Sequence, residues 1–219
     1  MLLRMPSQWA SATLPAFPRW LRACFWLCVA IALAVVVRRV ATYISPNEHL
    51  PDRMASVEAA FANRRALTLA HILPAGAFVL LAPFVLRRGV GRRPRLEMAF
   101  YVLGGVIGVT AYAMSGHPVG GNVERSAVLV FDTLYLYTLA RSFRLWRGGV
   151  YLPANRWLLR AVAILLGIAT TRPVMGVFFA TSALTHLAPQ QFFGIAFWIG
   201  FSINAIAMEI WIRRSYRVR

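Results

Sequence analysis

Long apolar stretches recur along this chain, separated by short polar connections. A bilayer core of about 30 Å takes roughly 20 apolar residues of helix to cross. Six runs of that order are present, at residues 21–37, 66–86, 96–115, 126–145, 157–180 and 192–212. They occupy more than half of the 219 residues, and what lies between them is too short for a separate soluble domain. The pattern predicts an all-α fold: a single integral membrane domain over 1–219, built as a bundle of six transmembrane helices behind a leader at 1–20. The first run is short and close to the N-terminus, as a secretory signal would be. It follows a 20-residue leader, ends on Arg38 and Arg39, and lacks a small-residue cleavage site, so it reads as a retained helix.

Composition agrees with the runs and the charge adds a direction to them. Hydrophobic residues make up 59% of the chain and charged ones only 14%, where a soluble domain carries about a quarter. The mean hydropathy is +0.60. There are 24 basic residues against 7 acidic ones, a net charge of +17, and every basic residue is arginine. Such a balance raises nucleic-acid binding, which needs basic side chains gathered on one solvated face. Here the arginines lie between apolar runs, so membrane topology explains them and no nucleic-acid partner is expected. Attraction to anionic lipid headgroups is a second use for such clusters. With both termini cytoplasmic, 17 arginines fall on the inner side and 6 on the outer, the asymmetry of the positive-inside rule. Trp20, Trp146, Trp157, Trp211 and Tyr151 fall near the inner boundaries, where amphipathic rings prefer to sit. In the longest outer connection, Pro51 and Asp52 followed by Met54, Val57, Glu58 and Phe61 predict a short amphipathic helix on the membrane surface.

Within the runs, small residues and prolines suggest packing and local irregularity. Gly104 and Gly108 form a G-x-x-x-G that lets another helix approach closely. Pro74, Pro83 and Pro173 free backbone carbonyls inside their helices. Cys24 and Cys28 share a helix face and read as small apolar filler, because the further ligands a metal site needs are missing around them.

The candidate chemistry lies in the few polar residues inside the runs, which are costly in lipid and by default face the bundle interior. His71, Asp132 and Arg172 come from three different runs at similar depth on the outer side. Two readings stand. Asp132 and Arg172 form a structural polar clasp, or the three line an outward-facing pocket with His117, Glu124 and His186 near its mouth. In the second reading His71 is a ligand or proton carrier, and the ligand is a small anion, a quinone-like headgroup or a proton. A b-type haem wants two facing histidines, and His71 with His117 is the one pair available, so haem b is a lesser reading. Asn204 reads as interhelical glue and Glu209 as a helix-end anchor that pairs with Arg160 or Arg213. No hydrolase, kinase, zinc or dinucleotide motif is present, and no reaction follows from these residues.

From residue 66 onward the chain resembles a family of predicted multi-pass bacterial membrane proteins, domain of unknown function twenty-three-oh-six. The likeness is carried by His71 within LTLAHILPAGAFVLLAPF, by the stretch from Asn155 through Arg156 and Trp157 to Arg160, by Thr171 and Arg172, and by Trp198, Asn204 and Glu209. Family members tend to carry histidine where this chain has Asn155, and a His-Arg pair near Glu97. The resemblance implies a bacterial cytoplasmic (inner) membrane location and family positions at His71, Arg172, Asn204 and Glu209. It implies no reaction. The chain therefore reads as a binding or carrier-type membrane protein with an outward-facing polar pocket. The alternative is a structural accessory subunit of a larger respiratory or photosynthetic type complex, and the third reading is a haem b electron-transfer protein.

Overall fold

The computed structural model describes residues 17–45, 62–186 and 188–217. The leader before residue 17 and the amphipathic helix expected around 51–61 lie outside the described residues. Among those described, the regular structure is helical throughout: α1 Arg19–Ile44, α2 Arg65–Arg88, α3 Pro94–Ser115, α4 Gly121–Arg147, α5 Tyr151–Thr185 and α6 Pro189–Arg217. Each apolar run thus becomes one helix, extended at its ends by polar residues that keep the backbone bonding going. Proline opens α3, where its missing N–H costs nothing. Pro74 and Pro83 stay inside α2 and Pro173 stays inside α5, with helix continuing on both sides.

Five of the six helices are long and apolar enough to cross a membrane. The exception is α4, diluted by Asp132, Tyr135, Tyr137 and Arg141. Outward-facing positions are strongly apolar: Leu73, Leu80 and Phe84 on α2, Val102 and Val109 on α3, Val177 on α5, and Ile203, Ile206 and Ile210 on α6 are all exposed. In water such a surface would drive aggregation; in lipid it costs nothing. Together these features indicate a multi-pass protein in a lipid bilayer.

Short links make the helices from α2 to α6 successively antiparallel, so the helix ends sort into two groups. The Arg65 guanidinium sits 5.3 Å from the Tyr43 ring centroid, which ties the start of α2 to the end of α1. Phe17 and Trp211, with centroids 4.7 Å apart, join the start of α1 to the end of α6 at the other end. We call the first the distal end and the second the termini end. α5 is the central helix, packed against α4, α6 and α1, while α3 packs between α2 and α4.

Glycines set the closest approaches. A Cβ on Gly104 would lie 2.7 Å from Leu139 Cδ2, and one on Gly108 would collide with Leu136 Cδ2, so the G-x-x-x-G seats α3 on α4. Gly200 brings α6 onto the backbone of α5, where a Cβ would meet Thr171 N at 2.7 Å. Gly194 does the same against the start of α4, with Glu124 N only 2.5 Å from an added Cβ. The aromatic core follows these contacts, with Phe78 stacked on Phe100 and Phe131 stacked on Phe201.

Candidate functional site: a polar cavity at the distal end

The distal half of the bundle encloses a cavity of about 300 Å³, at the small end of the range for small-molecule sites, about 300–1,000 Å³. Its polar wall comes from five helices and the link between α3 and α4. Arg38 and Arg39 enter from α1, Thr68 and His71 from α2, Ser115 from α3, Glu124 and Asp132 from α4, and Arg172 from α5, with His117 on the link. Arg38 and His117 are exposed, so the cavity reaches the distal surface, whereas Thr68, Ser115 and Asp132 are buried. The sequence-predicted residues His71, Asp132, Arg172, His117 and Glu124 therefore do share one space. His186 does not line it. It is exposed at the end of α5, in the left-handed conformation that terminates that helix.

The clasp expected between Asp132 and Arg172 does not form. Asp132 Oδ2 and Arg172 Nε are both buried without a hydrogen-bond partner. Among the described residues, the charges felt by Arg172 are those of Arg39 and Arg38, which repel it. The reason is rotational: although α4 and α5 are packed neighbours, Arg172 sits on the face of α5 turned toward the end of α1. Three guanidinium groups and two carboxylates thus line one cavity, and the most deeply set of each kind has an atom that the protein leaves unsatisfied.

His71 is fixed by α3. Its Nδ1 lies 2.9 Å from Thr110 Oγ1. That hydroxyl has a single proton and also lies within hydrogen-bond distance of Val106 O at 2.7 Å and Ile107 O at 3.0 Å. With the hydroxyl proton given to either carbonyl, the imidazole donates from Nδ1, and the neutral ring then keeps its lone pair on Nε2. Glu124 caps the first turn of α4 by accepting from Gly120 N at 2.5 Å. Tyr135, also on the cavity wall, donates to Gly104 O at 3.1 Å.

Apart from Asp132 and Tyr135 of α4, the lower wall is apolar. Ile164, Leu165 and Ile168 of α5 contribute, and Phe193, Phe197 and Phe201 of α6 enter between α4 and α5. Those phenylalanines recur every four residues, a spacing that puts them on one helix face. That periodicity is the one signal in the sequence for this part of the site.

Comparison with protein-family models, with curated proteins and with solved structures gives no match. The functional reading therefore rests on this geometry.

The termini end holds a second polar system, whose central groups are well satisfied. Glu97, 2% exposed, accepts from the backbone of Gly91 at 2.7 Å, Arg92 at 3.0 Å and Arg93 at 2.9 Å, and from Trp146 Nε1 at 2.6 Å. Asn155 Oδ1 accepts from Val90 N at 2.9 Å, and its amide packs against Gly89, whose φ of 70° suits glycine. Ser142 accepts from Tyr101 and donates to Ala154 O, both at 2.8 Å. These groups lock the α2–α3 link onto α4 and α5. Only the glutamate in the first turn of α3, beside the two glycines, hints at this in the sequence. Glu209 pairs with both Arg160 and Arg213 at 2.8 Å, and Asn204 accepts from Thr170 at 2.8 Å. Thr170 also contacts Cys28 Sγ at 3.7 Å. Among the described residues no group of three or more His, Cys, Asp or Glu side chains could hold a metal ion.

Proposed function

We propose that this chain is a six-span protein of the bacterial cytoplasmic membrane, with both termini inside, that binds or carries an anionic ligand in a cavity facing outward. The arginine asymmetry supports the orientation: the termini end carries the arginine-rich links, which makes the distal end the outer one. The lower hydropathy of α4 fits a spanning helix whose Asp132 and Tyr135 turn to an internal cavity instead of lipid. One observation carries the function. Arg172 and Asp132 line the same cavity, each with an unsatisfied polar atom, and do not neutralise one another. A buried unpaired guanidinium is costly, and a ligand anion offsets that cost.

The test is purification in a gentle detergent, reconstitution into lipid nanodiscs, and thermal-shift titration with a panel of inorganic phosphate, nitrate and octanoate. Saturable stabilisation by at least one anion, lost in Arg172→Gln, supports the reading. If no anion stabilises the protein and it purifies with a stoichiometric larger membrane partner, the binding role fails and an accessory subunit takes its place.

A further inference from the structure

The cavity is polar at its outer rim and again at Asp132 and Tyr135 on α4, while on three other helices its lining is apolar below the rim. On α1 the lining runs from Arg39 down to Ala32, on α2 from His71 to Val79, and on α5 from Arg172 to Ile164. At 1.5 Å per residue, each drop is about 10–12 Å. Three helices thus give the same result, a wall that is apolar over one length below a rim of guanidinium and imidazole groups; across from it, α4 contributes Asp132 and Tyr135 to this shaft. Water filling such a shaft would find few hydrogen-bond partners, and a small hydrated anion would leave the shaft empty. The charge at the rim is also limited. Glu124 and Asp132 share the cavity with Arg172, and Asp132 Oδ2 has no donor to offset it, so a second negative charge on the ligand would be repelled.

Building on the proposed anion-binding role, we infer that the ligand is an amphiphilic monoanion, an organic acid with its carboxylate at Arg172 and an apolar body in the shaft. The shaft is about as long as an extended eight-carbon chain. An apolar pocket with a few convergent polar groups is the general form of such sites. Arg172 supplies charge recognition from a guanidinium that no protein carboxylate occupies, while Phe197 and Ile168 supply the walls of the shaft.

The experiment is equilibrium dialysis of the protein in nanodiscs, against empty nanodiscs as blank, with three probes: octanoate, nitrate and octanol. Octanoate is expected to bind saturably at one per chain, with nitrate and octanol each at least about tenfold weaker, the size of one lost charge-assisted contact or of a lost apolar body. Arg172→Gln should weaken octanoate by at least about tenfold and leave octanol unchanged. Ile168→Phe, which fills the shaft without touching the charge, should move the preferred chain from octanoate toward butyrate. Nitrate binding as tightly as octanoate overturns the amphiphile and leaves anion binding standing. Octanol binding as tightly as octanoate overturns charge recognition at Arg172. No saturable binding of any probe overturns this inference and the proposed function together.

Discussion

Replacing Arg172 by methionine should make the bundle more stable. In a polar clasp, removing one partner of a buried ion pair leaves the other uncompensated and costs about 3–5 kcal/mol. Here there is no pair to break: Arg172 Nε has no partner, Asp132 Oδ2 has none either, and among the described residues the charges acting on Arg172 are the like charges of Arg38 and Arg39. An arginine at the centre of a membrane helix costs about 2.5–3.5 kcal/mol by insertion scales. The opening of the cavity to the distal surface lowers that figure. Relieving the rest, together with the repulsion from α1, gives an expected gain of about 1–3 kcal/mol. Methionine keeps much of the length of the side chain and packs without strain. The assay is reversible unfolding of wild type and Arg172→Met in mixed micelles, monitored by tryptophan fluorescence. A variant less stable than wild type by more than about 1 kcal/mol would refute the reasoning and restore the clasp.

Other parts of the structure make equally definite predictions. Gly200→Ala drives a Cβ into the backbone of Thr171 and should destabilise by about 1–3 kcal/mol, whereas Gly176→Ala, with open space around it, should be near neutral; parallel melting curves compare them. Glu97→Gln removes the charge that four donors share and should cost about 2–3 kcal/mol while shifting the Trp146 emission, read by unfolding and fluorescence. Nitrogen-15 NMR should find the neutral His71 ring protonated at Nδ1, and Thr110→Val should weaken that preference by removing the acceptor.

The helices were legible because hydropathy alone marks a span, and the proline at the start of α3 and the glycines of its G-x-x-x-G do in the structure what their chemistry suggests. The depth of His71, Asp132 and Arg172 could be counted along each run, so their meeting in one cavity was within reach. Their rotation about the helix axis could not. No sequence pattern fixes the azimuth of Arg172 or its turn toward Arg38 and Arg39.

Glu97 was obscure for a related reason. Its four donors come from the α2–α3 link and from Trp146 on α4, and the sequence marks only a glutamate in the first turn of a helix. His186 failed as a cavity residue because α5 runs on to Thr185, which carries it past the mouth to the exposed end of the helix. Periodicity and depth can be counted along a chain, whereas the facing of one helix toward another is decided by packing that several helices settle together.

The most direct test of an outward-facing cavity is thiol labelling of Asp132→Cys in a background where Cys24 and Cys28 are serine, with a membrane-impermeant reagent applied from either side. Val130→Cys, on the exposed apolar face of the same helix, is the control. The account predicts that position 132 is labelled from the outside, more slowly when octanoate is present, and that position 130 stays unlabelled. Labelling of position 132 only from the cytoplasmic side, or from neither side, would contradict it.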